Sequence, residues 1–361
     1  MSELRALVSA ANTLRAEGTS FISATVVQVQ GSAYRRPGAR MIATERAWLA
    51  GSISAGCLER DVLGKGFWRT RDARAVRVRY AEAEDALEEA RGSGCQGVID
   101  YLVERWDPSQ PAAADEPWAC FARCLESEKP GVLVTVIGAE HAAVELGQRA
   151  WRCGDELVSN AAPALLPQLT AAAEAGLSGP SQPWTLEQRT PNGKLELLVE
   201  KVLPPPHLYI FGSGHDVSPV LALAKQLGWS VSIWDAQPRF AARERLRDAD
   251  HYLTDSLTEA TQRLSRAARP LAVIMGHDLA RDQEVLGALL ACPLHYLGVL
   301  GPRRRTEQML ARLRETGAPM REATLARLHG PAGLMIGAQT PAEIALAIIS
   351  EIQQTLHLAR Q

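Results

Sequence analysis

The sequence predicts an α/β protein: a mixed α+β N-terminal domain followed by a C-terminal Rossmann-like doubly wound parallel sheet. Strand-like runs dominate up to residue 203, whereas short apolar runs alternate with helical segments from residue 207 onward. Such alternation is typical of a parallel sheet covered by helices. Three consecutive prolines, Pro204 to Pro206, separate the two patterns and can continue neither a strand nor a helix. We therefore expect domains at 1–203 and 204–361.

Composition and charge agree with an ordinary globular chain. The 361 residues are 46% hydrophobic and 22% charged, which argues against disorder and predicts about two domains. Lys+Arg 39 against Asp+Glu 41 leaves a net charge of −2, so no nucleic-acid partner is expected. No apolar run approaches the roughly 18 residues of a spanning helix, so we expect a cytoplasmic protein with no membrane partner. Six cysteines are too few for a disulfide scaffold.

In the N-terminal domain, alternating and β-branched runs predict strands. These runs are ISATVVQVQ, ARMIAT, AWLAGSIS, AVRVRY, GVIDYLVERW and GVLVTVIGAE. Helices are expected over CLERDVLGKGFW and over residues 82–91. The segments 107–117 and 176–193 contain Pro, Gly and small or polar residues and are predicted as linkers or loops. No internal repeat is evident.

In the C-terminal domain, the motif FGSGHDV predicts a turn between a strand and a helix. Gly212 and Gly214 could turn backbone N–H groups toward a pyrophosphate, and Asp235 ends the next strand, where a ribose-binding acid is expected. Val217 replaces the third glycine of the dinucleotide fingerprint. The pattern predicts the Rossmann fold but leaves open whether these residues bind NAD(P) or only form the turn. His277, Asp278 and Asp282 follow a later strand, and Arg303, Arg304 and Arg305 follow the next one. They either form a polar ligand site at the strand ends, or Asp278 only caps the next helix.

An arginine-rich loop lies between the first two predicted strands, in GSAYRRPGAR. Arg35, Arg36 and Arg40 are candidates for an anionic ligand because a guanidinium group grips phosphate at two points. The alternative is a solvated hairpin tip carrying three surface arginines.

Two cysteines lie beside glycines in predicted loops. Cys57 begins a helix in GSISAGCLERD, where the helix N-terminus favours a thiolate, and Cys95 lies in GSGCQG just before a strand. Both are candidate metal ligands, and we expect them to approach each other in one cleft, because loops at one sheet edge often converge. Soft thiolates suit soft metal–sulfur centres, and the spacing is not that of a zinc finger. The alternative is that each cysteine only packs at its turn.

The motifs together resemble the XdhC/CoxI family, accessory proteins for xanthine dehydrogenase and related molybdenum hydroxylases. The resemblance rests on GSAYRRPGARM and GSISAGCLERDV, and on a Gly-Cys loop before a strand. It continues in FGSGHDV, DAQPRFAARERLRDAD, GHD, YLGVLGPRRR and HGPAGLMIGAQTPAEIALAIISEI. It covers nearly the whole chain outside 107–190.

The resemblance implies a protein that binds molybdenum cofactor, supports its sulfuration with a cysteine desulfurase and inserts it into a hydroxylase such as xanthine dehydrogenase. It makes Cys57 and Cys95 candidate metal ligands or sulfur-handling thiols, and Arg35, Arg36 and Arg40 candidate contacts for the cofactor phosphate. A non-catalytic chaperone is favoured, and the alternatives are an NAD(P)-binding oxidoreductase and a thiol-dependent sulfurtransferase. The resemblance leaves open whether the molybdopterin is a dinucleotide form, whether a nucleotidyltransferase is a partner and whether the protein forms a homo-oligomer.

Overall fold

The computed structural model describes residues 3–81, 97–108, 116–127, 129–141, 143–190, 193–237 and 240–358. The chain divides into two compact units, one spanning Glu3–Leu203 and the other running from Pro204 to the C-terminus. Among the described residues, no helix has the length and apolar character needed to cross a membrane.

The first half of the N-terminal unit, here called the first lobe, is a five-stranded antiparallel sheet with two helices among its described residues. Its elements are α1 (Glu3–Ala16), β1 (Phe21–Gln30), β2 (Arg40–Ala43), β3 (Trp48–Gly51), α2 (Cys57–Arg69), β4 (Ala75–Ala81) and β5 (Val98–Trp106). The strands lie in the order β3-β2-β1-β5-β4. The helix predicted over 82–91 lies outside the described residues.

The second half, here called the second lobe, repeats this arrangement. Its elements are α3 (Pro117–Ser127), β6 (Gly131–Ala139), β7 (Arg149–Cys153), β8 (Glu156–Ser159), α4 (Leu166–Ser178), β9 (Trp184–Thr190) and β10 (Gly193–Val202). The strand order β8-β7-β6-β10-β9 is the order of the first lobe with every strand number raised by five. The N-terminal unit is therefore an internal duplication, and the expectation that the chain holds no internal repeat is wrong.

Backbone details identify equivalent residues in the two lobes. Gly38 and Gly147 both adopt positive φ, 88° and 80°, just before the second strand of their lobe. The Gly38 N–H donates to Val26 O at 2.8 Å, and the Gly147 N–H donates to Val136 O at 2.9 Å. One small apolar cluster joins the lobes through two pairs of corresponding residues: Val27 with Ile137, and Leu102 with Leu198.

Two buried ion pairs cross reciprocally between the lobes. Arg40 on β2 forms a two-point ion pair with Glu200 on β10, and Arg149 on β7 pairs with Glu104 on β5. Arg40 corresponds to Arg149, each two residues after its glycine, and Glu104 corresponds to Glu200, each in a Leu-Val-Glu sequence. Each lobe thus supplies the arginine for one pair and the carboxylate for the other.

The mixed α+β prediction for this unit is confirmed, and one detail of it is wrong. The segment 176–193, predicted as loop, holds the end of α4 and the strand β9. Its sequence WTLEQRT is half-buried at most because β9 is an edge strand, so it lacks the apolar run of a central strand. Most of the segment 107–117 lies outside the described residues.

The C-terminal unit has the predicted doubly wound fold. Its strands are β11 (His207–Phe211), β12 (Ser230–Trp234), β13 (His251–Leu253), β14 (Pro270–Ile274), β15 (Tyr296–Val299) and β16 (Leu328–His329). Its helices are α5 (Val217–Gln226), α6 (Phe240–Arg245), α7 (Leu257–Arg266), α8 (Leu279–Leu290), α9 (Arg303–Glu315), α10 (Glu322–Leu325) and α11 (Pro341–Leu358).

All six strands are parallel, in the order β13-β12-β11-β14-β15-β16. This is the Rossmann order. The chain first forms β11, β12 and β13 toward one edge of the sheet, and then crosses back to form β14, β15 and β16 on the other side of β11. Every residue of β11 and β14 is buried, since helices cover both faces of the sheet. The order reverses between β11 and β14, which is where such sheets bind ligands.

Candidate functional site

In the first lobe, the loops that carry the candidate residues leave from one end of the sheet. β1 and β3 finish at this end, β2 begins there, and the antiparallel pairing of β4 with β5 places Ala81 and Val98 there as well. The loops 31–39 and 52–56 are therefore neighbours, and Ala81 and Val98 lie at the same end of the sheet. Ala33 packs against the same apolar cluster as Ile53 and Leu58.

Cys57 is the first residue of α2 and is partly exposed, as a reactive or ligating thiol requires. The segment before it is held by Glu59, whose carboxylate folds back over the turn. Glu59 Oε1 accepts hydrogen bonds from Ile53 N at 2.8 Å and Ser54 N at 2.7 Å. Glu59 Oε2 accepts from Gly56 N at 3.0 Å and from Ser54 Oγ.

Glu59 is 1% exposed yet remains a carboxylate. Burial alone would raise the pKa of Glu59, but the hydrogen bonds from Ser54 and Ile53 outweigh it and the net pKa is lowered. Gly56 has φ 127°, a left-handed conformation that favours glycine. A buried anion therefore fixes the backbone that presents Cys57. In the sequence, the position of Glu59 three residues after Gly56 indicates only the start of a helix and not a buried carboxylate.

The three candidate arginines have different surroundings. Arg40 is buried: its Nη1 donates to Glu200 Oε1 at 2.7 Å and to Gly38 O at 2.9 Å, and its guanidinium lies 5.0 Å from the Phe121 ring centroid. Arg35 is partly exposed and pairs with Glu3. Arg36 is exposed, and its side chain makes no hydrogen bond or ion pair with any residue that the structure describes. Arg36 can bind an external anion directly, and Arg35 can do so if the anion displaces the Glu3 carboxylate. The Arg40 guanidinium is already bound to Glu200 and to Gly38 O within the fold.

Comparison with the second lobe shows which residues at the loop end of the first lobe are not required by the shared fold. Gly66 in α2 and Gly176 in α4 are equivalent, because an added Cβ would strike Ile22 in one lobe and Val132 in the other. Counted from these glycines, Pro167 stands in the place of Cys57 and Leu169 in the place of Glu59.

The arginine loop differs between the lobes in the same way. Counted back from Gly147, Val144 and Glu145 replace Arg35 and Arg36. In the second lobe these loops enclose a cavity of about 300 Å³ lined mostly by apolar and uncharged residues. The thiol, the buried carboxylate behind it and the exposed arginine therefore belong to the first lobe alone.

Cys95 lies outside the described residues. Gly97, two positions later, is buried where a Cβ would lie 2.2 Å from Ser32 O. The backbone that follows Cys95 is thus packed against the arginine loop. The approach of Cys95 to Cys57 stays a prediction. Among the described residues, no cluster of three or more His, Cys, Asp or Glu side chains could hold a metal ion.

A second candidate site is a cavity of about 710 Å³ at the carboxyl ends of β11, β12 and β14. Gly212 has φ 129°, and a Cβ there would lie 2.7 Å from Met275 O, so only glycine fits the turn. Ser213 Oγ donates to Asp235 Oδ2, and Asp235 Oδ1 accepts from Gln237 N at 2.9 Å. Arg245 Nη2 donates to Ser213 O at 2.7 Å, bracing the turn. Gly212, Gly214 and Asp235 therefore lie together in one cavity.

Aspartates line this cavity as well. Asp278 caps α8 by accepting hydrogen bonds from Ala280 N at 2.9 Å and Arg281 N at 3.0 Å. Of the two roles that the sequence left open for Asp278, the structure shows the helix cap. Asp282 is buried beside it: burial raises the pKa of Asp282, and the Arg305 guanidinium at 2.7 Å opposes the shift. The Asp282–Arg305 pair joins two helices and brings together two members of the polar set that the sequence places at these strand ends.

Fold and sites together define a class of protein in which a duplicated antiparallel unit is followed by a Rossmann unit. The family model described as the XdhC and CoxI family matches residues 14–81, and the model described as the XdhC Rossmann domain matches residues 208–352. The chain belongs to the XdhC and CoxI family, as its sequence motifs predict.

Relatives of full length support this assignment. The chain is 27% identical over 343 residues to a Bacillus subtilis protein named as a probable subunit of xanthine dehydrogenase, covering 92% of each chain. It is 23% identical over 335 residues to the molybdenum cofactor insertion chaperone PaoD of Escherichia coli, covering 93% of this chain and 83% of the relative. A crystal structure described as a xanthine dehydrogenase from Bacillus halodurans matches with a TM-score of 0.77 and 26% identity, covering 100% of this chain and 97% of that one.

Proposed function

We propose that the protein binds molybdenum cofactor as cargo at the loop end of the first lobe and delivers it to a molybdenum hydroxylase such as xanthine dehydrogenase. The observation that carries this proposal is the asymmetry between the lobes. Cys57 and Arg36 are partly or fully exposed, lie on neighbouring loops and have no counterpart in the second lobe. The similarity to a relative named as a cofactor insertion chaperone supports the same conclusion.

The residues fit the chemistry of this cargo. Molybdenum in the cofactor is bound by sulfur, and a thiolate such as Cys57 is a soft donor of the type that metal–sulfur centres accept. The pterin carries a phosphate, which an exposed guanidinium such as Arg36 can bind at two points. We include Cys95 as a second thiol, since it precedes backbone that packs on the arginine loop. Arg40 contributes by holding β2 rather than by touching the cofactor.

Sulfuration and partners form the finer part of the proposal. A thiol that holds the cofactor by its metal would keep it bound while a cysteine desulfurase, with a thiol as reductant, supplies sulfide. The sulfide would replace one oxo ligand, which leaves as water, before transfer to the apo-hydroxylase. A nucleotidyltransferase would be a further partner if the bound cofactor is a dinucleotide. Neither step requires catalysis by this chain.

The experiment compares Cys57→Ser with Cys153→Ser, a partly exposed cysteine in the second lobe. Each full-length variant is loaded with molybdenum cofactor, and bound molybdenum and the melting temperature are measured on the same sample. We expect Cys57→Ser to retain less molybdenum with nearly unchanged melting, and Cys153→Ser to behave as wild type. Full retention by Cys57→Ser together with a lowered melting temperature would assign Cys57 to packing and remove it from the site.

The second candidate, an NAD(P)-dependent oxidoreductase, is favoured by the strand order and by the turn at Gly212. Two features weigh against it. Val217 is fully buried in the first turn of α5, in place of the third glycine of the fingerprint, which serves close packing of helix and strand. Asp216 places a carboxylate at the same turn. Titration with NADH, followed by its fluorescence, tests this candidate directly.

A further inference from the structure

Tyr34 is an aromatic side chain left uncovered in the loop 31–39, at the loop end of the first lobe. It is 70% exposed, and its side chain makes no hydrogen bond or ring contact with any residue that the structure describes. The preceding residue, Ala33, packs against the apolar cluster of the sheet and anchors the loop. Tyr34 therefore presents a flat ring to solvent, on which a planar ligand can stack.

The face of α2 that begins at Cys57 is also open. Cys57, Arg60 and Gly64 are spaced by three and four residues, so they lie on one face of the helix, away from the residues that α2 buries. A Cβ added at Gly56 or at Gly64 would meet no atom of the described residues within 4 Å. Within the described part of the chain, a ligand at Cys57 therefore has access to Arg60.

Arg60 carries a positive charge that no described residue neutralises. Its side chain is exposed and makes no hydrogen bond or ion pair with the residues that the structure describes. The two neighbouring carboxylates are used elsewhere: Glu59 accepts hydrogen bonds from the backbone before Cys57, and Asp61 pairs with Arg69 and Lys65. An anion bound near Cys57 would thus meet an unpaired guanidinium one helical turn away.

The second lobe lacks both side chains. Counted from Gly147, Ala143 stands in the place of Tyr34, and counted from Gly176, Thr170 stands in the place of Arg60. The shared fold therefore requires neither the ring nor the charge. Both occur in the lobe that also carries Cys57, and both lie at its loop end.

We propose that Tyr34 and Arg60 are further contacts for the molybdenum cofactor. Tyr34 packs against the planar pyrimidinone ring of the pterin, and Arg60 binds the phosphate together with Arg36, since a guanidinium group grips phosphate at two points. This inference rests on the function proposed for the first lobe, in which Cys57 binds the metal. It adds a contact for the ring, the one part of the cofactor for which the metal and phosphate contacts do not account.

The test uses metal-free molybdopterin, which keeps the ring and the phosphate but cannot bind Cys57 through molybdenum. Its affinity for the full-length protein is measured by anaerobic equilibrium dialysis, with the fluorescence of the oxidised pterin as readout and the melting temperature taken on the same sample. Tyr34→Ala should weaken binding by about threefold to tenfold at every ionic strength, because the lost contact is uncharged. Tyr34→Phe keeps the ring and should bind as the wild type does.

Arg60→Ala should weaken binding by about tenfold at low ionic strength and by less at high ionic strength, because salt screens the lost attraction. Arg60→Lys should recover part of the loss, since it keeps the charge but not the two-point contact. The matched controls are Trp68→Ala and Arg71→Ala, which remove an exposed ring and an exposed charge at the other end of α2 and should bind normally.

Unchanged affinity in Tyr34→Ala or in Arg60→Ala would overturn the contact assigned to that residue and leave the metal site at Cys57 standing. Equal losses in the two controls would overturn both contacts, because binding would then depend on the surface of the lobe as a whole. A wild type that binds the complete cofactor but not metal-free molybdopterin would also overturn this inference alone. Binding of neither form would overturn the proposed function as well.

Discussion

Replacing Arg40 by alanine tests whether this arginine belongs to the fold or to the ligand site. The change removes both hydrogen bonds to Glu200 and the bond to Gly38 O, and leaves the Glu200 carboxylate, 4% exposed, without its partner. Breaking one side of a buried ion pair costs about 3–5 kcal/mol, because the remaining charge stays desolvated. Loss of the guanidinium from the Phe121 ring adds to this cost.

The matched variant is Arg149→Ala, which breaks the equivalent pair with Glu104. Urea unfolding of the full chain should show the N-terminal unit losing about 3–5 kcal/mol in each variant. The double variant Arg40→Met with Glu200→Leu should recover most of the loss, since it removes both charges together. Molybdenum bound per folded molecule should stay normal in all of them.

The opposite result would refute this reasoning. If Arg40→Ala loses less than about 1 kcal/mol, as an exposed pair would, while its molybdenum retention falls and Arg149→Ala retains fully, then Arg40 contacts the cofactor. A large loss for Arg149→Ala alone would show that the two pairs are not equivalent despite their matched positions.

Three further predictions concern single side chains. Arg36→Ala should weaken molybdenum cofactor binding more at low than at high ionic strength, because salt already screens the lost attraction; equal affinity at every ionic strength would remove Arg36 from the site. Glu59→Gln should destabilise the first lobe by about 1–3 kcal/mol, because an amide NH₂ then faces backbone donors. It should also change the alkylation rate of Cys57 relative to Cys153, measured by mass spectrometry, and an unchanged ratio would leave Glu59 with a purely structural role. Burial, with a smaller effect of His251, lowers the pKa of His207 to about 4, so only the unfolded chain takes up this proton between pH 6.5 and 4. The C-terminal unit should therefore lose up to about 3 kcal/mol as the pH falls through that window, and His207→Asn should abolish this part of the pH dependence in urea unfolding.

The Rossmann unit was predictable because its central strands are buried on both faces. HLYIF and PLAVI are short apolar runs followed by a turn, a pattern that survives without knowledge of tertiary contacts. The edge strand β9 was not predictable, because its residues are partly exposed to solvent and mostly polar, so they lack the apolar pattern by which a strand is recognised. Cys57 at the start of a helix was predicted from local glycines, whereas the pairing of Arg40 with Glu200 spans 160 positions and leaves no local signal.

The duplication shows what residue type alone could not, namely which candidate residues also serve the shared fold. Arginines next to glycines indicate phosphate binding in general, but Gly-x-Arg occurs in both lobes and pairs with Leu-Val-Glu in both. A feature present twice, with the same partner each time, is required by the shared fold. A feature present once, such as Cys57 where the other lobe has Pro167, is free of that requirement, and a buried carboxylate with four hydrogen bonds supports it only in the first lobe. The comparison of the lobes therefore separates Arg40, which joins them, from Cys57 and Arg36, which the shared fold does not require.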